Sequence, residues 1–156
     1  MELFLFFHFL QANSIKYIFG CQYYFGCLVI YYSYIILRTT KRVAPNYNNG
    51  KVYVDISNPF NDTYTDFILP WDTSGAEQVQ HRSPKTRVLG AFKNVWWEVF
   101  DAPSFGDTVS DVFVVSDDIQ AKAKLMELVQ QTPFRYIDAG ELKNARTIER
   151  MTLLSG

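Results

Sequence analysis

Two short stretches place polar or small residues where they could steer the chemistry of a bound ligand. Ser57, Asn58 and Pro59 close one alternating apolar run, and Ala91 and Phe92 close another. Open α/β sheets bind ligands at the carboxyl ends of their parallel strands. Each stretch also has an ordinary explanation. Asn-Pro stops a strand well, and core packing accounts for a small residue followed by an aromatic one. His81 beside Arg82 falls at the end of a short polar helix, the place of a solvated side chain rather than a general base. Trp96-Trp97 could stack on a flat ring, but adjacent side chains point in different directions, so at most one can do so. Cys21 and Cys27 are the two cysteines, with no histidine cluster near them, and they do not make a zinc site. Asn61-Asp62-Thr63 is a glycosylation sequon of the kind that arises by chance.

The elements that must position these residues start after a break in composition. The 156 residues are enough for one domain. A net charge of -1 gives no field pointing to nucleic acid. The 48% hydrophobic and 20% charged residues exclude a disordered chain. Of 26 aromatic residues, 12 fall between Phe4 and Tyr34, and only Glu2 and Lys16 are charged before Arg38. From Val43 onward there are 11 Lys+Arg against 15 Asp+Glu. Residues 1–37 are therefore an atypical apolar segment. Within it, Tyr17 to Leu37 carries no charge and is followed by Arg38, Lys41 and Arg42. As a helix it would be roughly 31 Å long, enough to span a bilayer, and the positive-inside rule would leave 38–156 cytoplasmic. Gly20, Gly26 and six tyrosines in that stretch suit a helix poorly. A pair of strands, or a sequence never selected for folding, are the alternatives.

The second segment is regular. Lys51 to Ile56 alternates, with Val52, Val54 and Ile56 on one face, and predicts a strand. Ser74-Gly75-Ala76-Glu77 is a capping-box pattern that starts a short helix. Arg87 to Phe92 predicts a second strand. Val112 to Val115 predicts a third, covered on both faces. Ser116-Asp117-Asp118 caps a helix carrying Ile119, Ala123, Met126 and Val129, ended by Thr132-Pro133. Phe134 to Asp138 is the last strand. Leu142, Ala145 and Ile148 mark a final helix. This order predicts an α/β fold, with a mainly parallel sheet and flanking helices.

Residues from about 50 to 156 resemble the C-terminal half of the Rossmann domain in the deazaflavin-dependent NADP reductase family. The same domain type forms the cytosolic reductase part of transmembrane ferric metalloreductases. The stretches that carry the resemblance are Gly50 to Pro59, Thr73 to Glu77, Arg87 to Phe92, Val114 to Asp118, Ala121-Lys122-Ala123, Ile137 to Gly140, and Asn144-Ala145-Arg146. Leu37 to Asn49 look like the tail of the helix that precedes Gly50 in that family. The sequence departs from the pattern at Gly90, where the family usually has Lys, and at Lys93, where it has Asn or His. That makes Lys93 a candidate for altering acceptor choice. The family opens with a G-x-G-x-x-G turn, yet no two of the eight glycines here are two apart. The fold class expected is therefore a partial Rossmann-type α/β domain over 38–156, with its first βαβ half missing.

The resemblance implies NADP(H) as cofactor and a deazaflavin or flavin as acceptor. The cofactors carry a hydride transfer and the protein places them, so a missing catalytic triad does not count against it. It implies that Ser57, Asn58, Pro59, Ala91 and Phe92 contact the nicotinamide side. Arg146 is expected to form a structural ion pair. Expected partners are the nicotinamide dinucleotide, a membrane through 17–37, and a second copy of the chain, with no nucleic acid and no metal. The competing expectation is a catalytically inactive membrane-tethered or interaction fragment.

Overall fold

The computed structural model describes residues 9–11, 14–16, 29–31, 50–96, 99 and 102–155, the first three groups by backbone alone. β1 (Phe9–Gln11) and β2 (Ser14–Lys16) form an antiparallel pair. β3 (Val29–Tyr31) lies parallel to β4 (Val52–Asp55), and β4 lies parallel to β5 (Arg87–Gly90). Of the Tyr17–Leu37 stretch, only Val29–Tyr31 is described, and it is a strand of the sheet rather than part of a membrane-crossing helix. Among the described residues no helix is long and apolar enough to cross a membrane. Cys21, Cys27, Trp97 and the expected helix tail at Leu37 to Asn49 lie outside the described residues.

Between β4 and β5 comes α1 (Gly75–Arg82). Its capping box forms as the sequence predicts. The Ser74 hydroxyl oxygen accepts from the Glu77 N–H at 3.2 Å and donates to the Glu77 carboxylate at 2.7 Å. Such a cap stabilises a helix by about 1 kcal/mol. After β5 a small hairpin intervenes, β6 (Ser104–Phe105) and β7 (Thr108–Val109). Gly106, at φ 60°, opens its two-residue turn, the position glycine takes in a type II′ hairpin. Its strands are two residues long, too short for alternation to show in the sequence.

β8 (Asp111–Val114) and β9 (Arg135–Asp138) pair in parallel. They join the β3–β4–β5 sheet through a bridge in which Gly90 and Val115 exchange backbone hydrogen bonds in the antiparallel sense. The sheet is therefore parallel within each ladder and reverses direction between β5 and β8. α2 (Ile119–Leu128) connects β8 to β9, and α3 (Ala145–Ser155) closes the described chain.

Strand alternation divides the core between the two faces of the sheet. Val52, Val54, Leu89, Val112 and Val114 pack with Ala121 and Leu125 of α2. Tyr53, Val88 and Val115 pack with Ala76 and Val79 of α1 and with Leu142, Ala145 and Ile148. The expected final-helix triplet is buried, with Leu142 in a 3-10 turn just before α3 and Ala145 and Ile148 on the first turn of α3. The α2 expectation is corrected by two residues. Ile119 is 77% exposed, and the buried stripe starts at Ala121 and Leu125, since the first residue after the cap points away from the sheet. Asp118 is that cap. Its carboxylate accepts from the Ala121 N–H at 2.8 Å and binds Arg87 of β5 through two guanidinium N–H groups.

Candidate functional site

Because β4 and β5 are parallel neighbours, their carboxyl ends emerge side by side. Ser57, Asn58 and Pro59 follow β4, and Ala91, Phe92 and Lys93 follow β5. The Ala91 N–H donates to the Asp55 carbonyl at 3.1 Å, extending the ladder past the named strands. The chain then turns sharply. Phe92 has φ 57°, a left-handed conformation that a bulky residue rarely adopts. Its ring is buried and meets Phe134 and Tyr136 edge-on, each at 5.8 Å between centroids. Packing overdetermines this strained backbone, as is common near ligand sites.

Ser57 is buried, and both its hydroxyl and its N–H donate to Oδ1 of Asp55, at 2.7 and 3.2 Å. Pro59 and Ala91 are buried as well. Asn58 differs from its neighbours. It is half-buried, and its Nδ2 donates to the Lys93 carbonyl at 2.6 Å. Its Oδ1 is buried with no hydrogen-bond partner among the described residues. A buried amide oxygen left unmatched costs about 1–3 kcal/mol, which an incoming donor would recover.

Beneath these loops lies a group of charges that sequence reasoning missed. Lys93 is 1% exposed, and its ammonium contacts Asp55 Oδ2 at 2.7 Å and Glu149 Oε1 at 2.8 Å; both carboxylate side chains are fully buried. Burial alone would lower the Lys93 pKa, but the two carboxylates hold it above its ordinary value. Glu149 is pushed up by its burial and by the Asp55 charge, against the pull of Lys93. Glu149 also accepts the N–H groups of Gly75 and Ala76, at 3.0 and 3.4 Å, and so caps α1 from α3. Asp55, Lys93 and Glu149 are far apart in sequence, so no local spacing reveals them. The one available signal was that Lys93 departs from the family pattern.

The aromatic residues at this end pack on one another. Phe60 stacks on Trp96 at 5.8 Å and meets Phe67 edge-on at 4.9 Å. His81 is exposed at the end of α1. Arg146 forms the expected ion pair, gripping Glu77 with contacts of 2.5 to 3.1 Å. Asn61 heads a surface loop in which its Oδ1 accepts from the Thr65 N–H. Among the described residues no cluster of histidine, cysteine or carboxylate groups could hold a metal ion.

The topology and the doubly covered sheet define a Rossmann-type α/β protein. Its relatives narrow this further. The chain is 34% identical over 111 residues to the F420-dependent NADP reductase of Methanocaldococcus jannaschii, a match covering 67% of this chain and 49% of that protein. It is 31% identical over 105 residues to the human metalloreductase STEAP2, covering 67% of this chain and 20% of that protein. A crystal structure from Arthrobacter sp. FB24, provisionally assigned as an F420-dependent NADP reductase, superposes with a TM-score of 0.69 at 25% identity. That superposition covers 82% of this chain and 60% of the other. The hypothetical protein SMa0349 from Sinorhizobium meliloti shares the fold, with a TM-score of 0.63 at 22% identity, over 75% of this chain and 58% of that one. No protein-family model matches the chain. The chain is thus related to the deazaflavin-dependent NADP reductases, and it resembles the C-terminal half of their Rossmann domain. It spans about half the length of the archaeal reductase and a fifth of the metalloreductase.

Proposed function

We propose that residues 38–156 form the nicotinamide-side half of an NADP(H)-dependent oxidoreductase, with hydride passing between the nicotinamide and a deazaflavin-, flavin- or metal-linked acceptor. The observation that carries this reading is the unpartnered Oδ1 of Asn58, at the point where two parallel strands end together. The bond from its Nδ2 to the Lys93 carbonyl fixes the amide, and a ligand donor that displaces what covers Oδ1 would satisfy it. A nicotinamide carboxamide has such a donor. The Ser57 hydroxyl is committed to Asp55, so Asn58 is the polar contact this stretch offers. Pro59 sets the direction in which the chain leaves β4. Ala91 and Phe92 shape the floor through their backbone, since their side chains are packed inside. When bound, the nicotinamide supplies the redox chemistry, and the residues named here bind and orient it.

The sequence carries no G-x-G-x-x-G turn, so these residues supply no pyrophosphate cradle. The reading therefore expects a site that orients the ring without anchoring the dinucleotide tightly. We further propose that residues 1–37 serve the sheet, through β3, rather than a membrane. The test is NADPH oxidation by the full chain at millimolar cofactor, with a deazaflavin, a flavin or a ferric chelate as acceptor. Turnover above the protein-free rate that falls in Asn58→Ala supports the reading. No turnover with any acceptor would favour an interaction fragment instead.

A further inference from the structure

We infer that Lys93 is a positioning residue that clasps the loop after β4 to the loop after β5 and so fixes the spacing of the two strand ends. This rests on the nicotinamide reading above. The clasp runs both ways through one residue. The Lys93 ammonium donates to the Ser57 carbonyl at 2.7 Å, and the Lys93 carbonyl accepts from Asn58 Nδ2 at 2.6 Å. Ser57 and Asn58 belong to one loop and Lys93 to the other, so neither loop can shift without breaking a buried hydrogen bond.

The surroundings are arranged for this reach. An ammonium has three N–H donors, and here three acceptors meet them: Asp55 Oδ2, the Ser57 carbonyl and Glu149 Oε1. Two carboxylates already exceed what one cation needs for charge balance. The third bond, to a neutral carbonyl in the β4 loop, adds placement rather than pairing. Gly90 leaves the path open. A Cβ built there would lie 3.1 Å from Cε of Lys93 and 2.9 Å from a methyl of Val115. Arginine cannot replace this lysine, because its rigid planar fork does not converge on three acceptors around one nitrogen.

A structural ion pair and a positioning clasp respond differently to neutralisation. Replacing a buried charge network with neutral residues of similar shape often leaves stability intact. The triple variant Asp55→Asn, Lys93→Met, Glu149→Gln removes all three charges together with the bond to Ser57. Wild type and triple variant, both as the full chain, are titrated with reduced nicotinamide mononucleotide while backbone amide shifts and thermal unfolding are recorded. The expected result is saturable shifts at Ser57, Asn58, Ala91 and Phe92 in the wild type, and at least tenfold weaker binding in a triple variant that still melts cooperatively. Equal binding in the two proteins would overturn the clasp and leave the nicotinamide reading standing. No shifts in the wild type at millimolar probe would overturn the nicotinamide reading, and the clasp with it. Should the triple variant fail to fold, Gly90→Ala on a Val115→Ala background, compared with Val115→Ala alone, decides, because with the Val115 methyl gone the added Cβ presses on the Lys93 stem without removing a charge. Severalfold weaker binding supports the clasp, and unchanged binding overturns it.

Discussion

Lys93 and Arg135 each face an aspartate from a neighbouring strand region, yet the two pairs live in different media. Lys93 and Asp55 are 1% and 0% exposed, whereas Arg135 and Asp111 are 67% and 28% exposed. The Arg135 contacts are short and bidentate, at 2.5 and 2.7 Å, so distance alone would rank this pair at least as strong. The difference lies in what each pair displaced. Water screens Arg135, and a single exposed pair of this kind contributes little. Lys93 was stripped of water to reach its place, and only its full set of partners offsets that cost. The buried network therefore cannot lose one member cheaply, and the surface pair can.

The largest effect should follow from breaking the buried set at one point. Lys93→Met leaves Asp55 and Glu149 as facing buried carboxylates, and about 3–5 kcal/mol of stability should be lost. That is a large share of the roughly 5–15 kcal/mol of an ordinary domain, so urea titration should find the variant's midpoint strongly lowered. A midpoint close to the wild type would mean that the pocket is wet.

Next in size is the loss of the strand that covers β4. A shortened chain of residues 43–156 lacks β3, which exposes the β4 backbone as an unpaired edge. It should be poorly soluble or melt without a sharp transition. A cooperative melt of the monomer would show that β3 adds little.

Titration separates the two regions further. The Asp118 carboxylate is held down to about 2 by the Arg87 guanidinium and the Ala121 N–H. Its stabilisation is present above the ordinary value of 3.8 and is lost as pH falls toward 2. Asp118→Asn should cost about 1–2 kcal/mol at neutral pH, discounted for partial exposure, and flatten that acid limb. Glu149 runs the other way. Its pKa is raised by burial, so the folded state keeps the proton longer than the unfolded chain does. Stability from this group should be full below the ordinary 4.5 and fall as pH rises through the raised value. Melting temperatures across the acid and neutral range should show this slope in the wild type and lose it in Glu149→Gln.

The smallest effect belongs to the surface pair. Arg135→Gln should leave the melting temperature unchanged within error. A clear drop would contradict the contrast drawn between wet and dry charges.

Local chemistry is what the sequence makes legible. Ser74 and Asp118 announce their helices because a cap and its N–H partners lie within three residues of each other. The alternation at Val52 and Val54 is visible because the face pattern repeats every second residue. The family stretches identify which strand ends adjoin. The sheet reversal at Gly90 and Val115 depends on a pairing between distant segments, and nothing local encodes it. β3 lies in an uncharged stretch whose length suits a membrane helix while its glycines and tyrosines suit one poorly, so composition leaves the strand undecided. The Asp55–Lys93–Glu149 group joins positions brought together only by the finished fold. The Asn58 amide could be proposed from its place at a strand end, but that its oxygen lacks a partner could not.

The central claim is that these residues orient a nicotinamide at the ends of β4 and β5 without anchoring the rest of the dinucleotide. Calorimetric titration with NADPH tests it most directly, on two proteins: the chain as it stands, and a chimera in which residues 43–156 follow a reductase first half carrying G-x-G-x-x-G. Several charge-assisted hydrogen bonds to the pyrophosphate, each about 1.5–3 kcal/mol, separate the two cases. The account predicts no binding to the native chain at micromolar NADPH and micromolar affinity in the chimera. Micromolar affinity in the native chain, or none in the chimera, would contradict it.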